Sequence, residues 1–110
     1  MTDKELLELA AKAAGIEIQS YDPISDRIYT PRSLPMLEGS YLHTWNPLAD
    51  DGDALRLAVH LNMNLDVVDA SSGAQVLHVA WCSEPHHDDP LAATRRAIVR
   101  AAAEIGRNMK

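Results

Sequence analysis

The chain contains no phenylalanine, a single cysteine and no long apolar run. Each absence excludes something. One thiol, Cys82, cannot form an intrachain disulfide and fits a reducing compartment. No apolar stretch approaches the roughly 18–20 residues that span a bilayer, so no membrane partner is expected. Asp3, Lys4, Glu5 and Glu8 leave no apolar segment for a secretory leader, and a cytoplasmic location is the expectation. The nucleophile-elbow, phosphate-loop and dinucleotide glycine patterns are missing as well, and no cofactor is expected. Without Phe, the core must come from Leu, Ile, Val and two Trp, with helices approaching closely over sixteen alanines.

A chain of 110 residues reads as one domain, 1–110. Its formal charge of -6 is unevenly distributed. Residues 1–89 hold fifteen Asp/Glu against five Lys/Arg, whereas residues 90–110 hold one against five. An acidic body disfavours nucleic acid, whose binding rests on phosphate neutralisation. The opposed signs suit either a homodimer or a separate acidic partner docking on Arg96, Arg100 and Arg107.

Thr2-Asp3-Lys4-Glu5 is a capping box. It predicts a helix from Asp3 to Ala14, stopped by Gly15. Pro23, Pro31 and Pro35 forbid a helix through the next stretch, so residues at about 16–40 read as a Pro-rich irregular arm or insert. Ile16, Ile18, Ile28 and Tyr29 could form one or two short extended pieces there. A second helix is expected from Asp50 or Asp51 to Leu61 or Asn62. Leu65 to Ala70 reads as a strand, Ser71-Ser72-Gly73 as a turn, and Ala74 to Cys82 as a longer partner strand. Leu77, Val79 and Trp81 would share one face of that strand, and Val76, His78, Ala80 and Cys82 the other. Two apolar faces predict cover on both sides. Asp89 and Pro90 open a last helix as N-cap and first helical residue. Its apolar stripe is Leu91, Thr94, Ile98, Ala101, Ala102, Ile105 and Met109, with Arg96, Arg100 and Arg107 opposite. The fold class is therefore α+β: a small antiparallel sheet, built on a central hairpin and packed by three helices, in the order α-(β)-α-β-β-α.

Four groups of residues are candidates for function. Cys82, His86 and His87, with His78, Asp88 and Asp89 nearby, offer ligands that zinc accepts, but Cys-x3-His-His matches no standard module. A capped loop is the simpler reading, and no metal is expected. Asp50-Asp51-Gly52-Asp53 lacks the alternate ligand spacing of a calcium loop and reads as a helix cap. Cys82 and His78, four residues apart on a strand, would lie about 13 Å apart, too far for a catalytic dyad. His78 and Arg95 are a further pair that could meet at the sheet edge. Finally, Tyr21, Tyr29, Tyr41, His43 and Trp45 cluster in the first half as a binding surface, or else as cover for the core. The Arg96/Arg100/Arg107 stripe is likewise either a solvated face or a contact.

Two segments echo each other, Thr44 to Leu61 and His86 to Gly106: each has a Pro and an Asp pair and leads into an Ala-rich helix. At Trp45-Asn46-Pro47-Leu48-Ala49-Asp50 the chain resembles small bacteriophage and prophage proteins of unknown function, including the phage ABA-sandwich family. Trp45, Pro47, Asp50, Ala54 and Ala58 fit its first helical block. Pro90, Leu91, Ala97, Ile98, Ala101 and Ala102 fit its last. Leu48-Ala49 depart from the Ser or Thr that often precedes the Asp. The resemblance implies a phage-derived origin, an α/β sandwich and a bacterial host cell, and it carries no catalytic residues. The expectation is a non-catalytic accessory protein that binds a host or phage protein, inhibition being one outcome. The alternative is a small-molecule- or metal-dependent enzyme or sensor using His78, Cys82, His86 and His87.

Overall fold

The computed structural model describes residues 2–18, 20–22, 27–31, 42–76 and 80–109, of which 20–22, 27–31 and 42–44 are described by backbone. Local signals set the helix ends. Helix α1, Asp3–Ala14, starts where the Thr2 side chain accepts from the Glu5 N–H at 3.2 Å. It stops at Gly15, which takes a left-handed φ of 72°. The Gly15 N–H then reaches the Lys12 carbonyl, and the Ile16 N–H reaches the Ala11 carbonyl at 2.8 Å. These two bonds satisfy carbonyls that the helix end would otherwise orphan.

Three strands follow: β1 (Ser20–Asp22), β2 (Arg27–Pro31) and β3 (Leu42–Trp45). They form an antiparallel sheet in the order β1-β2-β3, with Tyr21 opposite Ile28 and Ile28 opposite Trp45. Helix α2, Asp51–His60, is capped by Asp50, whose carboxylate accepts from the Asp53 N–H at 2.8 Å. Its far end closes through Asn62 at a φ of 55°. A short polar side chain tolerates that left-handed conformation better than most.

Strands β4 (Asn64–Val67), β5 (Ser71–Val76) and β6 (Ala80–Pro85) make a second antiparallel sheet in sequence order. The register aligns Leu65, Ala74 and Cys82 across one face, and Asn64, Gln75 and Trp81 across the other. Helix α3, Pro90–Arg107, packs against β5 and β6 and also against α1 and α2. It is buried at Ala97, Ile98 and Val99 and again at Ala101, Ala102 and Ala103. Three consecutive buried positions exceed a single stripe. Alanine lets α3 be approached from several sides, and the helix forms the centre of the core. Helix α1 runs parallel to it: Asp3 pairs with Arg96, and Lys12 Nζ donates to the Met109 carbonyl.

The α+β class and the three helices agree with the sequence. The order among the described residues is α-β-β-β-α-β-β-β-α, with three strands before α2 where one or two short extended pieces were expected. Three expectations need correction. Ser71, Ser72 and Gly73 lie inside β5 and not in a turn. Cover on both sides of the second sheet does not extend over Trp81, which is 57% exposed. Leu77, His78 and Val79 lie outside the described residues. On α3, the expected stripe residues Leu91 and Met109 are exposed, while Val99 and Ala103 are buried.

The Asp89 cap can be tested directly. Its carboxylate accepts from the Ala92 N–H at 3.0 Å, with Pro90 beside it. Asp89→Ala is expected to lower stability by about 0.5–2 kcal/mol, read as a shifted midpoint in denaturant melts. An unchanged midpoint would mean that the helix does not depend on this cap.

Candidate functional site

The polar centre of the described structure lies between the second sheet and α3. Ser72 and His86 are both buried. The Ser72 hydroxyl lies 2.7 Å from His86 Nε2 and 2.7 Å from the Thr94 hydroxyl. The Thr94 hydroxyl donates in turn to the Pro90 carbonyl at 2.8 Å. β5 supplies Ser72 on its helix-facing side. The turn after β6, where His87 holds a φ of 52°, supplies His86. The first turns of α3 supply Thr94.

Counting protons assigns the direction of this chain. A carbonyl only accepts, so the Thr94 proton goes to Pro90. Thr94 therefore accepts from Ser72, and Ser72, its one proton committed, accepts from His86 Nε2–H. A nucleophilic serine needs the reverse arrangement, with a bare imidazole nitrogen facing the hydroxyl. With the protons so assigned, the nitrogen facing Ser72 carries the hydrogen, and the hydroxyl is enclosed. The trio ties the hairpin, the loop and α3 together, and it does not activate Ser72.

The sequence-derived candidates are distributed as follows. Cys82 is buried beneath α3, and burial, only partly offset by the nearby Arg100 guanidinium, raises its thiol pKa. A thiol held protonated is a poor nucleophile and a poor ligand. His86 is bonded to Ser72, and His87 is exposed in the turn. Among the described residues, no three His, Cys, Asp or Glu side chains form a group that could hold a metal ion. We expect disulfide-exchange reagents to modify native Cys82 slowly and the unfolded chain rapidly. Equal rates measured by thiol titration, native against denatured, would show that Cys82 is accessible.

Tyr21, Tyr29 and His43 are brought to one sheet, in β1, β2 and β3 respectively. Trp45 is core, at 5% exposure, and offers no surface. Tyr41 lies outside the described residues. The arginine stripe is engaged within the chain. Arg100 bonds Glu84 at 2.7 Å, Arg96 bonds Asp3 at 3.2 Å, and Arg107 bonds Glu104 at 3.3 Å. An acidic partner would have to compete with these carboxylates. Arg95 does not meet a histidine of the described residues. Its Nε donates to the Leu48 carbonyl at 2.8 Å and its guanidinium to Asp51 at 2.6 Å, fastening the start of α2 to α3. Asp53, also buried, accepts from the Asn46 N–H at 3.0 Å and from Arg56 at 2.7 Å. The acidic run at residues 50–53 is thus a bonded helix start.

Exposed on the second sheet are β4 and Trp81. All four residues of β4 are exposed. Leu65 and Val67, on the helix-facing side, are 41% and 59% exposed. Val68, just past the strand, is 53% exposed. On the open face the Trp81 ring lies over Gly73, where any Cβ would overlap the ring. Sequence reading missed this surface because the strand was expected to be covered on both sides. It also missed Ser72 and Thr94, although a threonine on an apolar helix stripe was an available signal. No helix among the described residues is long and apolar enough to cross a membrane. Compared with protein-family models, with curated proteins and with solved structures, the chain finds no match in any of the three.

Proposed function

We propose that this protein is a non-catalytic binding module that works by holding a protein partner against its second sheet. The observation that carries this reading is the exposure of part of that sheet: β4 is exposed at every residue and Trp81 is 57% exposed. Aromatic residues are enriched where proteins meet, and an edge strand with unpaired backbone groups is a template for a partner. The resemblance to small phage and prophage proteins supports an accessory protein acting on a host or phage protein in a bacterial cell, with inhibition as one outcome.

No observation favours the enzyme or sensor reading. Cys82 and His86 are occupied structurally, and His87 stands apart in the turn. Affinity capture from bacterial lysate, with and without phage infection, tests the proposal. The expected result is a stoichiometric partner lost with Trp81→Ser combined with Val67→Asp. Capture that is indifferent to both substitutions would overturn the assignment to this sheet. Circular dichroism serves as the fold control.

A further inference from the structure

We infer that the outer edge of β4 accepts an extended segment with alternating apolar and basic residues, which adds as a fourth strand to the second sheet. This rests on reading the sheet as a binding element and names the chemistry of its partner. Three observations support it.

The first is the edge itself. In the order β4-β5-β6, β4 pairs on one side only, and no strand among the described residues pairs with its other side. An outer edge presents unpaired N–H and C=O groups that can template another strand. Of the devices that blunt an edge, β4, Asn64-Leu65-Asp66-Val67, has shortness and one charge, Asp66, but no lysine or proline, and it pairs with β5 in unbroken register. Its shortness limits the added segment to a few residues and the affinity to the weak, exchangeable range.

The second is the alternation. Leu65 and Val67 lie on the helix-facing side, aligned with Ala74 and Ser72, and both remain exposed. Asp66 lies on the open side, aligned with Gly73. A neighbouring strand would place its apolar residues beside Leu65 and Val67 and the intervening residue beside Asp66. That strand would continue the apolar layer that α3 leaves unfinished.

The third is the charge. Between Arg56 and Arg95 the chain contains no Lys or Arg, but it holds Asp66, Asp69, Glu84, Asp88 and Asp89. Glu84 is held by Arg100 at 2.7 Å. Asp66 and Asp69 are exposed and have no ion-pair partner among the described residues. The residue facing Asp66 is therefore best basic. The same charge argues against a second copy, whose β4 would bring the same two carboxylates against an acidic strand.

The test uses the full chain and a blocked heptapeptide of alternating lysine and valine. Three controls accompany it: glutamate in place of lysine, the same composition with lysines and valines in separate blocks, and alternate backbone amides methylated. Binding is read by amide chemical shifts and hydrogen exchange. The expected result is slowed exchange at residues 64–67 with the alternating peptide alone. Val67→Lys, at a position exposed enough to leave the fold intact, should weaken it by about tenfold or more. Asp66→Asn should remove most of its salt dependence. Equal binding of the block or methylated peptide would reduce the effect to charge attraction and overturn strand addition. So would unchanged binding to Val67→Lys, or no binding at millimolar peptide. A dimer of the free protein that Val67→Lys dissociates would identify a second copy as the occupant, against the proposal. A lysate partner lost with Trp81→Ser but not with Val67→Lys would sink the edge inference while leaving the binding-module reading intact.

Discussion

Gly106→Ala is expected to destabilise the protein by about 2 kcal/mol, although the same change in an ordinary helix stabilises by about 1 kcal/mol. The sign reverses because of what lies opposite. A Cβ at Gly106 would overlap the Leu9 carbonyl oxygen and lie 2.8 Å from the Leu9 carbonyl carbon and 3.2 Å from its Cα. All three are backbone atoms of α1, so no side chain can rotate out of the way. One helix must move relative to the other. The two are fixed on either side of the contact by Asp3–Arg96 and by Lys12 on the Met109 carbonyl. Overfilling a packed contact costs typically about 1–3 kcal/mol, which outweighs the gain in helix propensity. Gly73→Ala is the internal comparison: its obstacle is the Trp81 ring, the far end of an exposed side chain that can swing away. The expected order in urea melts is a large loss for Gly106→Ala and a smaller one for Gly73→Ala. A raised midpoint for Gly106→Ala would mean that α1 is not seated against α3 at this point.

The features legible in the sequence are those settled within a few residues. Thr2, Gly15, Asp50 and Asp89 act at the helix ends they announced, because a cap is a bond over three residues or a single backbone angle. The hairpin was legible as a hairpin but not in register. Ser71-Ser72-Gly73 has the composition of a turn, yet the reversal falls at Val68 to Ala70, where the Val68 N–H reaches the Ser71 carbonyl at 3.0 Å. Two distant demands override the local preference. Ser72 is needed on the helix-facing side for His86 and Thr94, and Gly73 is needed beneath Trp81. The first sheet was hidden for a different reason. Its strands have three to five residues, and one ends on a proline, so no run is long enough to show alternation. The arginines of α3 suggested a solvated face. Their partners Asp3 and Glu84 lie far away in sequence, and only the folded chain joins them.

The second large effect concerns the trio Ser72, His86 and Thr94. Ser72→Ala is expected to cost about 1–3 kcal/mol, because it leaves the Nε2–H of His86 buried without an acceptor. The volume lost is one oxygen atom, so cavity formation contributes little and the missing hydrogen bond dominates. The deduced direction of the protons, His86 to Ser72 to Thr94 to Pro90, gives an ordering as well as a size. Thr94→Val also removes a partner, but the ring donor keeps its acceptor and only the Ser72 hydroxyl hydrogen loses its own. The Thr94 variant should therefore be the milder of the two. In a double-mutant cycle, Ser72→Ala and His86→Ala should cost less together than the sum of the separate losses, by about 1 kcal/mol. Nitrogen-15 chemical shifts of the imidazole give a reading independent of stability. The neutral ring should carry its proton on Nε2. A proton on Nδ1, or a Thr94 variant worse than the Ser72 variant, would reverse the chain. Ser72 would then face a basic nitrogen, and the case for a purely structural histidine would be lost.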